Sequence, residues 1–178
     1  MTTAAELATI ADLERHPGRC ELIDGEIIDM APAGFEHGRA VAAISMLLRQ
    51  HVRGHNLGGE VLAGDPGFIL NEKTVRAPDV AYLDAQRAKT APQRGFMHFV
   101  PNLAVEVVSP GDHYTEVVTK ARMWIGCGVN LVWVADPWSH TTDIFAPGRD
   151  VVRREATDRI NGGDVLTDFS CLVNEFFA

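Results

Sequence analysis

Two carboxylates in apolar surroundings are the first residues of this sequence that could do chemistry. Glu106 interrupts the apolar run 103–108, and Asp79 follows Pro78 at the start of another predicted strand, 79–83. Burying a charge in such a strand is costly unless the charge is paired or bound to a metal ion. Two carboxylates about 4 Å apart would repel by roughly 4 kcal/mol at an effective dielectric near 20. A divalent cation would remove that repulsion, and Mg²⁺ or Mn²⁺ suits an oxygen-rich pair that also meets a phosphate.

A lysine on the next predicted helix could complete such a site. Lys120 lies about 300° around the helix axis from Val117, so it borders the apolar stripe that faces the sheet. An ammonium group there could stabilise the charge that develops when water attacks a phosphodiester in line. The carboxylate pair and this lysine together favour metal-assisted hydrolysis of a phosphodiester bond.

β-Strands account for most of the elements that must position these residues. The runs 20–23 and 26–29 flank Asp24-Gly25, a pair typical of a type I′ hairpin. The run 103–108 is almost wholly apolar, as a central buried strand should be. The segment 84–100 is polar and lacks a clear period, which predicts a loop. Further strands are predicted at 60–63, 68–70, 79–83, 130–135, 141–145 and 151–154, the last two forming a second hairpin.

Three helices are predicted from apolar residues that recur at helical spacing. They cover 4–15, 36–53 and 113–125; His37 lies near the start of the second, and Asp112 is a candidate cap for the third. The order of strands, crossing helix and strands predicts an α/β fold. We expect a mixed central β-sheet flanked by helices, with added β-hairpins.

Length and composition predict one globular domain over residues 1–178. The chain is 46% hydrophobic and 22% charged, and a chain of 178 residues can bury a core without disulfides or a structural metal. Its 16 basic and 24 acidic residues give a net charge of −8, which counts against non-specific coating of nucleic acid. An enzyme that cuts DNA is not excluded, because its metal requires carboxylates.

Cysteine usage and the N-terminal composition favour the cytoplasm. Cys20, Cys127 and Cys171 are odd in number and lack C-x-x-C spacing, so neither a disulfide framework nor a thiolate zinc site is expected. Residues 1–14 are rich in acidic side chains and lack the apolar segment of a signal peptide. Since no apolar run approaches the roughly 18 residues of a membrane span, no membrane partner is expected.

Several short motifs of the chain also occur together in a known family. They are Pro78-Asp79, the VEVVSP run 105–110, Lys120 and the NLVWVADP strand 130–137. The ELIDGE run 21–26 and the closing segment 169–177 match as well. Over residues 15–177 the chain thus resembles the Uma-type endonucleases of the restriction-endonuclease-like PD-(D/E)XK superfamily.

The resemblance implies a restriction-endonuclease-like fold and a set of site residues. Asp79 and Glu106 would be metal ligands, with the backbone carbonyl of Val107 as a further ligand. Glu21 and His37 would line the same cleft and take part in catalysis.

One position departs from the superfamily pattern. The motif has a lysine two residues after the glutamate, and this chain has Val108 there. Lys120 is similar to the relocated lysine found when that role moves to the following helix. If Lys120 pointed away from the cleft, catalysis would be in doubt while metal binding could survive.

Together these observations predict an Mg²⁺- or Mn²⁺-dependent DNA endonuclease that acts as a homodimer on DNA as a transient substrate. Asp79 and Glu106 would hold the ion, and Lys120 would stabilise charge. The alternative is a non-catalytic binding or assembly module that retains the nuclease fold. The net negative charge of the chain and the presence of Val108 at the position of the motif lysine both favour that alternative.

Each candidate residue also has a purely structural interpretation. Lys120 at the stripe edge could extend to water, and the pair His51 and His55, although spaced like zinc ligands, is expected at a solvated helix end without a third ligand. The basic run Arg87, Lys89 and Arg94 is expected in a solvated loop. The remaining alternatives are an ion pair with Lys120 or Arg122 for Glu106, a turn for Asp79, a surface strand for Glu21, and a core or capping position for His37.

Overall fold

The computed structural model describes residues 7–178, which contain four α-helices and twelve β-strands. The start of the first predicted helix, residues 4–6, lies outside the described residues. The helices are α1 Ile10–Arg15, α2 Phe35–Gly54, α3 Ala85–Thr90 and α4 Tyr114–Gly126, and a 3₁₀ turn Val173–Phe176 follows the last strand. The strands are β1 Cys20–Ile23, β2 Glu26–Asp29, β3 Glu60–Ala63, β4 Phe68–Asn71, β5 Thr74–Arg76, β6 Val80–Leu83, β7 Leu103–Val107, β8 Leu131–Asp136, β9 Thr141–Phe145, β10 Val152–Arg154, β11 Arg159–Gly162 and β12 Leu166–Leu172.

Six strands form the central sheet, in the order β10-β9-β8-β7-β6-β3. The neighbours β7 and β8 run parallel, joined by the crossover helix α4, while the other neighbours in this sheet are antiparallel. Helix α2 packs on one face of the sheet and α4 packs on the other. The predicted mixed sheet flanked by helices is therefore present.

The alternation of side chains along β7 decides where its glutamate points. Val105 and Val107 pack on the α2 side of the sheet, whereas Ala104 packs on the α4 side. Because successive side chains of a strand face opposite sides, Glu106 faces α4. That helix carries Lys120.

A second sheet, in the order β2-β1-β5-β4, supplies Glu21 from its strand β1. The β1–β2 hairpin turns at Asp24 and Gly25, whose φ angles of 51° and 85° are those that a type I′ turn requires. Strand β5 pairs antiparallel with β1. This pairing brings the chain that leads into β6, residues 77–79, beside Glu21.

Two predicted helices differ from the structure near their starts: residues 7–9 are not helical, and the third predicted helix begins at Tyr114 instead of His113. Helix α1 begins directly after Thr9, because the Thr9 hydroxyl accepts the N–H of Asp12 while the Asp12 carboxylate accepts the N–H of Thr9. Helix α4 has His113 as its cap instead of Asp112. The carboxylate of Asp112 accepts the N–H of Ser109 in the preceding turn.

Four elements were not predicted. The expected loop 84–100 contains α3, which Asp84 caps by accepting the N–H of Arg87, so the first part of the basic run is helical. Strand β5 has three residues, too few for a periodic pattern. Strands β11 and β12 form a two-stranded sheet, and their register shifts between Asn161 and Gly162, opposite the part of β12 that contains Asp168, whose φ is 62°.

Across residues 7–178, the structure contains no helix that is long and apolar enough to cross a membrane. The three cysteines are free. The expectation that all 178 residues form one domain stays a prediction.

Candidate active site

A cluster of charged side chains lies where β7 and α4 meet the second sheet. The Lys120 ammonium nitrogen is 3.0 Å from Glu106 Oε2 and 3.1 Å from Glu21 Oε1. It also donates a 2.7 Å hydrogen bond to the carbonyl oxygen of Ala77. Lys120 therefore points inward and joins two of the predicted acids instead of extending to water.

Glu106 is buried within this cluster, with 4% of its surface exposed. Its Oε1 accepts a 2.7 Å hydrogen bond from the indole nitrogen of Trp124, which lies one helical turn beyond Lys120 on α4. Successive turns of one helix thus hold the two oxygens of the carboxylate. The predicted alternative of an ion pair with Lys120 is present, whereas Arg122 on the same helix is exposed.

Glu21 is also buried, and its carboxylate contacts two basic side chains and one backbone N–H. Arg76 Nε lies 2.8 Å from Glu21 Oε2, and the backbone N–H of Ala77 donates to Oε1 at 2.8 Å. Lys120 shares that second oxygen. Glu21 is therefore a buried partner that fixes the lysine, and the surface-strand interpretation is wrong.

Asp79 and His37 form a second contact beside the cluster. The β6–β7 pairing places Asp79 next to Glu106. Asp79 Oδ2 accepts the backbone N–H of Val107 at 2.7 Å, and Asp79 Oδ1 lies 3.1 Å from His37 Nε2. His37 comes from the first turn of α2 and is buried. The structure thus brings all five predicted side chains and Val107 to one end of the central sheet.

Burial is the main cause of the shifted pKa of Glu106. Burial, reinforced by the negative charge of Asp79, raises the pKa of Glu106 to about 7, although Lys120 opposes this shift. Placing the ionised form of a carboxyl group in such surroundings costs free energy. A cation that binds there would recover that cost.

The pKa values of Lys120 and His37, two basic groups of the site, are both raised, which favours their charged forms. Burial acts to lower the pKa of Lys120, but Glu106 and Glu21 outweigh burial and leave that pKa above its ordinary value. The hydrogen bond with Asp79 raises the pKa of His37. Lys120 is therefore an ammonium ion at neutral pH.

Two cavities give access to the cluster. One, of about 320 Å³, includes Asp79 and His37 in its lining. The other, of about 540 Å³, includes Arg76 and Lys120 in its lining. Glu106 lines neither cavity.

Two residues that support the cluster were not predicted as such. Arg76 lies on the three-residue strand β5, which gives no periodic signal, and it meets Glu21 only because β5 pairs with β1. Trp124 is an apolar residue of the predicted helix 113–125. A buried tryptophan usually needs a partner for its indole N–H, and that requirement was the available signal for its contact with Glu106.

The oxygen ligands that this site offers are of the chemical type that binds a divalent cation. Asp79 and Glu106 offer carboxylate oxygens, the hard ligands that Mg²⁺ and Mn²⁺ prefer. Within the described part of the chain, no group of three or more His, Cys, Asp or Glu side chains is arranged to hold a metal ion. A cation at this site would therefore keep several waters, as Mg²⁺ does where one or two carboxylates bind it.

The pair His51 and His55 lies far from this site. The two rings stack with 4.1 Å between their centroids, and His51 Nε2 is 2.9 Å from the carbonyl oxygen of Thr167. At the helical rise of about 1.5 Å per residue, His51 is about 20 Å along α2 from His37. The pair takes no part in the charged cluster.

A buried lysine between two carboxylates, at the end of a mixed sheet, is an arrangement suited to a nuclease. The model of the Uma2 family, described as "Putative restriction endonuclease", matches residues 5–174. The chain belongs to this family, which confirms the resemblance found in the sequence and indicates a nuclease-like function. The comparison with curated proteins found no match.

A solved structure shares the fold over nearly the whole length of both chains. It is the crystal structure of a putative nuclease belonging to DUF820 from Anabaena variabilis ATCC 29413. The two chains are 15% identical and align with a TM-score of 0.81, covering 95% of this chain and 97% of that one. At this identity the likeness shows the fold alone, and it confirms the predicted fold class.

Proposed function

We propose that this protein is a divalent-cation-dependent endonuclease that hydrolyses phosphodiester bonds of DNA. The observation that carries the proposal is the position of the Lys120 ammonium between the buried carboxylates of Glu106 and Glu21, with Asp79 alongside. Membership of a family described as restriction endonucleases supports it.

Asp79 and Glu106 would hold the cation, Mg²⁺ or Mn²⁺, with the backbone carbonyl of Val107 as a further ligand. When bound, the cation supplies positive charge for the phosphate and acidifies water. The backbone N–H of Val107 already fixes Asp79 Oδ2, and Trp124 fixes Glu106 Oε1. The two carboxylates are therefore oriented before any ligand arrives.

Lys120, Glu21 and His37 take separate roles in this proposal. Lys120 stabilises the negative charge that develops on the attacked phosphate. Glu21 positions Lys120 through the 3.1 Å contact. His37 holds a proton that it shares with Asp79, and its buried Nδ1 has no hydrogen-bond partner within residues 7–178.

The test is cleavage of plasmid DNA and of single- and double-stranded oligonucleotides by the purified protein. We expect cleavage with Mg²⁺ or Mn²⁺, none in EDTA, and less as added salt weakens phosphate contacts. A parent protein that cleaves none of these substrates with any divalent cation would contradict the proposal.

A second candidate function is a non-catalytic binding or assembly module. It is favoured by the contacts of Lys120, whose three N–H donors face three acceptors within the protein, on Glu106, Glu21 and Ala77. Such a lysine would only balance charge. Cation-dependent cleavage excludes this candidate, whereas saturable DNA binding without cleavage supports it.

We also propose that the enzyme acts as a homodimer in the cytoplasm. Two symmetric copies would present one cleft to each strand of a duplex, and free cysteines accord with a reducing compartment. Light scattering at micromolar concentration should report twice the 19.4 kDa chain mass. A monomer alone would contradict the assembly.

A further inference from the structure

The larger cavity beside the site opens on the charged cluster. It lies between the second sheet and α4, and its lining includes Ile23 on β1 and Arg76 on β5. Ile23 faces the same side of β1 as Glu21, because side chains alternate along a strand. Thr119 and Lys120 of α4 form the opposite wall. A ligand in this cavity would therefore lie against the proposed catalytic lysine.

The charges of the lining do not suit a phosphate group. Arg76 and Lys120 are the basic residues, and each already contacts the carboxylate of Glu21. Asp24 and Glu116 add two more carboxylates to the lining. An anion would meet paired cations and two acidic side chains, which disfavours its binding.

The same lining suits an uncharged planar ring with polar edges. The side-chain NH₂ of Asn71 can donate to a ligand and the hydroxyl oxygen of Thr119 can accept from one. The other atoms of these groups are already engaged, because Asn71 Oδ1 accepts the N–H of Lys73 and the Thr119 hydroxyl donates to the carbonyl oxygen of Thr115. Asp24 and Glu116 would accept from the ring amino group of a ligand. The volume of about 540 Å³ falls within the range of roughly 300–1,000 Å³ typical of small-ligand sites. Apolar walls are supplied by Ile23, Leu70 and Met123.

We propose that this cavity binds one nucleobase of the substrate, turned out of its stack next to the phosphodiester that is cleaved. The inference rests on the proposed function, because the base reaches the cavity as part of a nucleic-acid strand. Unstacking a base costs free energy, least at mismatched or single-stranded positions. The enzyme should therefore prefer DNA with an unpaired base near the cleaved bond.

Binding of single nucleosides tests the cavity without requiring activity. Thr119 is exposed on α4 and lines the cavity, so Thr119→Phe would fill it. Thr115→Phe is the matched control, because Thr115 is exposed one turn earlier and is not part of the lining. The probes are the four deoxynucleosides and deoxyribose 5-phosphate, each followed by saturation-transfer NMR.

We expect at least one deoxynucleoside to bind the parent and Thr115→Phe equally, and to bind Thr119→Phe at least fivefold more weakly. Deoxyribose 5-phosphate should not compete. Equal nucleoside binding by Thr119→Phe and Thr115→Phe, no nucleoside binding by the parent, or binding of the sugar phosphate alone would overturn the proposal.

Cleavage assays separate this inference from the proposed function. On a duplex with one mismatched pair, Thr119→Phe should raise KM at least tenfold with little change in kcat, while Thr115→Phe behaves as the parent. Cleavage with an unchanged KM in Thr119→Phe would overturn the base site and leave the nuclease proposal standing. Nucleoside binding by the parent without cleavage of any DNA would overturn the nuclease proposal and, with it, the placement of the base next to a cleaved bond, while the cavity would remain a nucleobase site.

Discussion

Two buried carboxylates of the central sheet differ in how their charge is balanced. Asp143 on β9 meets one base, since Arg153 Nε and Nη2 donate to its two oxygens at 2.7 Å and 2.9 Å. Glu106 on β7 shares the single ammonium of Lys120 with Glu21. Asp143 therefore has a basic partner of its own, whereas Glu106 shares its basic partner with another carboxylate.

This difference distinguishes a structural ion pair from a site with capacity for another cation. A bidentate arginine–carboxylate pair is satisfied in geometry and charge. Arg153 also donates to the hydroxyl of Tyr114 at 2.8 Å, so the pair fastens the start of α4 to the sheet. At Glu106, the negative charge of the neighbouring Asp79 contributes to the raised pKa.

The largest expected difference is in activity. Glu106→Gln should reduce DNA cleavage to the level found in EDTA, because a neutral amide is a poor ligand for a hard divalent cation. Asp143→Asn, the same change at the structural pair, should cleave as the parent does. Cleavage by Glu106→Gln at the parent rate would remove Glu106 from the site.

The basic partners of these carboxylates, Lys120 and Arg153, should also differ in their effect on DNA cleavage. Lys120→Ala should slow cleavage by about 10²-fold or more, the usual loss for one electrostatic group at a transition state. Lys120→Arg should not restore the rate, because a planar guanidinium does not replace a compact ammonium. Arg153→Ala is the control and should leave the rate nearly unchanged. If Lys120→Ala and Arg153→Ala cleave equally fast, Lys120 has only a structural role.

The free energy of unfolding should respond in the opposite way to activity: the change at Asp143 should destabilise the protein, whereas the change at Glu106 should not. Asp143→Asn should lower the free energy of unfolding by about 1–3 kcal/mol, because it weakens two charge-assisted hydrogen bonds of a buried group. Chemical denaturation followed by circular dichroism measures this change. An unchanged midpoint would show that Arg153 and its partner contribute little to folding.

Glu106→Gln should instead stabilise the metal-free protein at neutral pH. The pKa of Glu106 is about 7 in the folded state against an ordinary value of 4.5, so the folded state holds more protons between these values. Stability of the parent should therefore fall as pH rises from about 4.5 to 7. Glu106→Gln should not show this fall in stability and should therefore be more stable than the parent at pH 7. A lower melting temperature for Glu106→Gln would favour a structural salt bridge with Lys120.

Local patterns predicted the elements that carry the chemistry. The apolar run around Glu106, the Asp24-Gly25 turn and the stripe of α4 that orients Lys120 are all confirmed as structure. Each depends on neighbours within a turn or a strand. Sequence spacing is sufficient for such features because the period of the element fixes which side chains share a face.

Contacts between distant segments could not be predicted in this way. Glu21 meets Arg76 only because the short strand β5 pairs with β1, and no periodic signal marks β5. Helix α3 is also short, and none of its residues is buried, so it has no apolar stripe. The contact between Asp79 and His37 depends on how α2 packs against the sheet, which spacing along the chain does not specify.

Mn²⁺ binding is the most direct measurement of whether the cluster around Glu106 is a metal site. Free Mn²⁺ can be followed by electron paramagnetic resonance during titration of the parent, Glu106→Gln and Asp143→Asn. We expect one ion per chain with equal affinity in the parent and Asp143→Asn, and an affinity at least about tenfold weaker in Glu106→Gln. No binding by the parent, or equal binding by the parent and Glu106→Gln, would contradict the assignment of this cluster as the metal site.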